Sequence, residues 1–211
     1  MEGRPILARV CGTGEEDQAI LILGGIHGNE PAGVTLCEAL CDYLARARLG
    51  PAHRKVIVAA ALNPDGLVRN TRENARGIDL NRNFATSNRE SARAHGSAAL
   101  SEPEAQFVAH LIARFSPVAI VSVHQPLACV DYDGPAEALA AAMARECGLP
   151  VEKLVNSRPY PGSLGTYLLQ SMWTYPPSLS QRACALPVPV PACHSYVGRI
   201  GTRVWTKESP S

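Results

Sequence analysis

No apolar run in this 211-residue chain reaches the ~18 residues a helix needs to span a bilayer. The N-terminus, MEGRPILARV, lacks the order of basic, apolar and small residues that marks a secretory signal. Charge is nearly balanced, with 20 Lys and Arg against 19 Asp and Glu. That balance removes the electrostatic case for a nucleic acid or an anionic membrane as partner. The seven cysteines (Cys11, Cys37, Cys41, Cys129, Cys147, Cys184 and Cys193) form no CxxC pair. The expected compartment is the cytoplasm, where the cysteines read as small buried hydrophobes. The last absence is local: from Leu164 to Thr206 there is no Asp or Glu.

What is present is ordinary for a globular domain: 46% apolar and 18% charged residues, in a length suited to one core. AILILGG (19–25), KVIVAAALNPDG (55–66) and VAIVSVHQP (118–126) are continuous apolar runs that end in turn or polar residues, as buried parallel strands do. Between them lie helical periodicities. PAGVTLCEALCDYLARARL (31–49) opens on Pro31, PEAQFVAHLIARF (103–115) has Ser101 as a candidate cap, and PAEALAAAMARECG (135–148) stops at Gly148. NPDG reads as a turn, and residues 67–102 as a long polar loop of the kind that often carries function. Strands alternating with helices predict an α/β fold with a mostly parallel or mixed sheet flanked by helices.

In such sheets the chemistry gathers beyond the carboxyl ends of the strands. The first strand ends in His27 and Glu30. The second leads through NPDG to RENARGIDLNRNF (72–84), and the third ends in His124. Taken singly, each has a plain role: a histidine in a loop, a turn, a polar loop. In this order, two histidines and a carboxylate with a fourth position open are the ligand set of a catalytic zinc. His53, His95, His110 and His194 have no comparable setting.

GGIHGNEPAG, NPDG, RGIDLNRNF and SVHQP together resemble the zinc metallocarboxypeptidases, over roughly residues 18–170. HQPLACVDYDG and YPGSLGTY are most similar to the murein-peptide amidase branch of that family. Aspartoacylase and succinylglutamate desuccinylase relatives share HGNE and DLNR but usually lack the NPDG segment. The resemblance implies a zinc-carboxypeptidase-like fold, one zinc ion per chain, and His27, Glu30 and His124 as its ligands. It implies Arg72 as the arginine that polarises the scissile carbonyl, with Arg76 as the alternative. Asn81 and Arg82 match the pair that grips a terminal carboxylate, and Asp79 would brace the loop. The implied substrate is a small peptide, and in the amidase branch the scissile bond joins γ-D-glutamate to meso-diaminopimelate. In this family a glutamate acts as general base, on an apolar strand that follows the PGS segment.

Here the chain departs from the pattern. Where that strand belongs, residues from about Ser171 on carry prolines at 187, 189 and 191, which cannot sit in a central strand, and the sole acid is Glu208. The expected division is therefore a catalytic domain over residues 1–173 and a divergent tail over 174–211, with the fold incomplete at its C-terminal end. Three readings of the tail stand: an out-of-frame segment without order of its own, a divergent terminus with the base supplied elsewhere, or a protein that binds zinc or peptide without turnover.

Overall fold

AILILGG becomes β2 (Ile20–Leu23), KVIVA becomes β3 (Val56–Ala59) and VAIVSVH becomes β4 (Ala119–His124). β2 pairs in parallel with both β3 and β4, which places it in the interior of the sheet and explains its unbroken apolar run. The structure is a computed structural model that describes residues 2–13, 19–47, 54–154, 160–171 and 201–206. Among the described residues four further strands join the sheet: β1 (Arg9–Cys11), β5 (Val130–Asp133), β6 (Val151–Glu152) and β7 (Gly201–Thr206). The order across its seven strands is β1-β3-β2-β4-β7-β5-β6. β1 is antiparallel to β3 and β7 antiparallel to β4, so the sheet is mixed.

Helices cover both faces. α1 (Pro31–Ala47) lays Cys37, Cys41 and Leu44 on Val56, Val58 and Val123, and α4 (Glu137–Cys147) lays Ala140 and Ala144 near Val121 and Val130. On the opposite face, α3 (Pro103–Phe115) and α5 (Leu164–Ser171) pack Ala105, Val108, Leu111, Leu164 and Leu168 against Leu21, Leu23, Ile57 and Ile120. The expected α/β layering is what the chain adopts. Cys37, Cys41 and Cys129 are buried as small hydrophobes, and burial pushes the Cys37 thiol up to about 12. No described helix is long and apolar enough to cross a membrane.

Two local expectations change. NPDG is not a free turn: it opens α2 (Pro64–Arg69), because Asn63 caps the helix by accepting from the Gly66 N–H and Pro64 supplies a pre-set first helical φ. Ser101 does not cap α3. The N-cap residue is Glu102, without a side-chain cap bond, and the Ser101 hydroxyl donates to the Glu102 carboxylate at 2.9 Å.

The polar stretch 67–102 is anchored in the core by Leu80 and Phe84, and buried amides order the rest of it. Asn83 Nδ2 donates to the carbonyls of His95 and Ala98 and to Ser101 Oγ, while its Oδ1 accepts the Glu102 N–H. Of the tail after residue 173, the structure describes only β7, which stands between β4 and β5. Residues 174–200 and 207–211, with the prolines and Glu208, lie outside the described residues.

Candidate metal centre

The end of β2 turns through Gly24 and Gly25, whose carbonyls accept the backbone N–H groups of Leu62 and Asn63 beyond β3. This fixes the loop that carries His27 against the segment leading into α2. Gly28 lies so near α2 that a Cβ there would stand 2.0 Å from the Gly66 carbonyl carbon. Glu30 immediately precedes Pro31 at the start of α1, where the helix dipole favours a carboxylate. His124 is the last residue of β4, beside β2 in the sheet.

These elements bring His27, Glu30 and His124 together. All three are buried, and one ligand atom from each lies within 4.8 Å of the other two. Glu30 is at the centre: its Oε1 is 2.8 Å from His27 Nδ1 and its Oε2 is 2.9 Å from His124 Nδ1. The imidazole centroids are 5.1 Å apart. Each ring turns its other nitrogen outward to a second group. His27 Nε2 is 3.4 Å from Asp79 Oδ1, an ion-pair distance rather than an aligned hydrogen bond. His124 Nε2 is 3.2 Å from Ser122 Oγ.

The electrostatics follow from burial set against these contacts. Burial pushes the Glu30 carboxyl up, but hydrogen bonds from His124 and His27, and their charges, bring its pKa down to about 2. Burial pushes His27 down, and the contacts with Asp79 and Glu30 outweigh it, so the net direction is up. Burial likewise opposes ionisation of Asp79, yet His27 and the charges of Arg72 and Arg82 hold it well below the usual carboxylate range. Anionic oxygens therefore face both nitrogens of the His27 ring. Displacement of the Nδ1 protons by a cation would leave two Nδ1 lone pairs and a carboxylate converging on it, with the Nε2 atoms facing Asp79 and Ser122. That donor set fits a cation, and two imidazoles with one carboxylate and an open position fit zinc.

The other predicted residues lie on the loops around this set. The Arg72 carbonyl accepts from Gly28 N and Asn63 Nδ2, and Arg72 Nε donates to Asp79 Oδ2 at 2.9 Å. Arg76 instead approaches Glu102, at 3.6 Å, on the side of α3. Asn81 and Arg82 sit on a 3-10 turn (Leu80–Arg82) whose start is capped by Asp79 Oδ1, which accepts the Asn81 N–H. Asn81 Oδ1 accepts the Leu164 N–H at the start of α5, and the Arg82 guanidinium lies 5.1 Å from the Tyr160 ring centre. Sequence reasoning missed Ser122 and the ring-facing role of Asp79. The period-two alternation of a strand does put Ser122 on the same face as His124, which is the available signal.

Beside β4, the strand that neighbours the metal set is β7, and the residue paired with His124 there is Gly201. Among the described residues, the His, Cys and carboxylate side chains close enough together to share a cation are His27, Glu30 and His124.

The zinc carboxypeptidase family model matches residues 1–133, and the chain belongs to that family. Murein peptide amidase A of Escherichia coli K12 is 36% identical over 165 residues, covering 70% of this chain and 64% of the relative. The Vibrio campbellii protein of the same name is 32% identical over 169 residues, covering 72% and 65%. Among solved structures, the murein-tripeptide amidase MpaA of E. coli O157 superposes with a TM-score of 0.67 at 30% identity, covering 80% of this chain and 75% of that one. The chain thus spans just under two thirds of the length of the curated amidases it matches.

Proposed function

We propose that this chain is a zinc-dependent hydrolase of an amide bond next to a C-terminal residue, with the γ-D-glutamyl-meso-diaminopimelate bond of murein peptides as its substrate. The observation that carries the reading is the buried convergence of His27 Nδ1, His124 Nδ1 and the Glu30 carboxylate, each ring backed by a second partner. The similarity to murein peptide amidases supports the substrate class.

In this reading His27, Glu30 and His124 hold one zinc ion. Zinc supplies polarisation of a carbonyl and a bound water acidified toward about pH 7. Asp79 keeps the His27 ring turned so that Nδ1 faces Glu30, and Ser122 does the same for His124. Arg72, with Nε committed to Asp79, offers its terminal nitrogens to the oxygen on which negative charge develops. Asn81 and Arg82 take the terminal carboxylate, a task suited to a planar guanidinium held over an aromatic ring.

A second reading, zinc or peptide binding without turnover, is favoured by one observation. The strand beside His124 presents Gly201, which has no side chain to take a proton, and the chain carries no acid from Leu164 to Thr206. Both readings keep the same metal ligands, so zinc stoichiometry does not separate them. Incubation of zinc-loaded full-length chain with L-Ala-γ-D-Glu-meso-diaminopimelate does. Release of diaminopimelate is the expected result. Tripeptide binding by calorimetry without release would establish the binding protein instead, and hydrolysis of N-acyl amino acids in its place would indicate an aspartoacylase-like activity.

A further inference from the structure

Away from the metal set, two carboxylates are buried at the start of α3: Glu102 is 3% exposed and Glu104 0%. Burying carboxylates is costly unless they are well partnered. Glu102 has the Ser101 hydroxyl on Oε1 and Arg76 Nη1 at 3.6 Å from Oε2, whereas Glu104 Oε1 has no hydrogen-bond partner among the described residues. What the two acids share is one amide. Asn74 Nδ2 donates to Glu102 Oε2 at 2.8 Å and to Glu104 Oε2 at 3.3 Å.

The other end of that amide closes a loop. Asn74 Oδ1 accepts the backbone N–H groups of Arg76 and Ile78, at 3.0 and 3.1 Å. Asn74 N donates to the Ile78 carbonyl, and Gly77 N to the Asn74 carbonyl. Both donors and both lone pairs of the side chain are therefore used, which also fixes which way the amide points. Just outside this neck, on either side, stand Arg72 and Asp79, paired at 2.9 Å. The second oxygen of Asp79 is the one that faces His27 Nε2.

We propose that Asn74, clamped by Glu102 and Glu104, is the positioning residue that sets Arg72 and Asp79 against His27. The proposal rests on the reading of His27 as a zinc ligand. The segment 72–79 buries only Ile78 among large apolar residues, so packing alone gives it little reason to hold one conformation. The Asn74 neck restricts it locally. The acid pair then ties the neck to α3, which is seated in the core through Ala105, Val108 and Leu111. The rigidity of the helix is thereby passed to the Arg72–Asp79 pair, and through Asp79 to the imidazole.

The test is zinc affinity of the full chain, measured by chelator competition. Asn74→Asp keeps an acceptor for the Arg76 and Ile78 amides, removes the donor to both carboxylates and adds a like charge beside them. Its expected zinc affinity is about ten-fold or more below that of the unaltered chain, in protein that is folded by circular dichroism. In the double variant N74D/E102Q, the amide introduced at position 102 donates back to the carboxylate introduced at position 74. Affinity then returns toward the original value, which a general loss of stability would not give. A folded N74D chain that binds zinc within two-fold of the original overturns the proposal. An unaltered chain that takes up no zinc removes the metal centre itself, and the proposal with it. Should N74D fail to fold, amide hydrogen exchange on the unaltered chain decides. Arg76 and Ile78 are expected to exchange on the order of a hundred-fold slower than an open loop, and exchange at the open-loop rate overturns the clamp.

Discussion

His27 Nε2 stands 3.4 Å from Asp79 Oδ1, so a carboxylate from the long polar loop backs the imidazole at the end of β2. Such outer contacts set the tautomer and orientation of a ligand histidine. Their loss typically weakens metal binding by about 10–100-fold. Asp79→Asn is therefore expected to lower zinc affinity by that order while leaving the fold intact. Chelator competition on the purified variant measures it, and an unchanged affinity would separate Asp79 from the metal centre.

His124 contributes one of the three convergent ligand atoms. His124→Ala is expected to abolish tight zinc binding, since two ligands rarely hold the ion against water. Metal analysis after dialysis is the check. Retention of one zinc per chain would refute the ligand set.

Gly28 is bound to its place by the backbone of α2. A Cβ on residue 28 would lie 2.0 Å from Gly66 C and 2.4 Å from Leu67 N, neither of which is a flexible side-chain end. Gly28→Ala must push the His27 loop and α2 apart. Overpacking of this kind costs about 1–3 kcal/mol, or a fall in Tm of roughly 3–10 °C for a chain of this size. Calorimetry of the two proteins tests it, and equal Tm values would contradict the close approach.

Burial raises the pKa of Glu104 above the ordinary carboxylate value. The folded chain then holds this proton at a pH where the unfolded chain has released it. Stability from this group is present below the unfolded pKa and is lost as pH rises through the raised folded value. Glu104→Gln cannot titrate. Relative to that variant, the unaltered chain is expected to lose stability as pH rises above the ordinary carboxylate value of about 4. Denaturant unfolding of both across a pH series measures the difference, and parallel pH dependences would show that Glu104 is not penalised by its burial.

Local sequence was enough to read the layering of the fold and to single out three side chains that the structure brings together. Ile20–Leu23, Val56–Ala59 and Ala119–His124 are apolar with little interruption because both sheet faces are covered, and that signal is local. His27 and Glu30 are three residues apart, so their meeting is also local, and His124 follows from the adjacency of β2 and β4. The partners of those ligands emerge only on folding. Asp79 reaches His27, Asn74 reaches Glu102 and Glu104, and Asn81 reaches Leu164, through contacts far apart in sequence that no periodicity announces. A buried amide or carboxylate leaves no repeating pattern in the sequence; its identity is legible, but its partner is set by where the loops are folded together. The same holds for β7. Its composition shows a strand without acids, whereas only the register across β4 sets Gly201 opposite His124, because strand pairing fixes which residue stands beside that histidine.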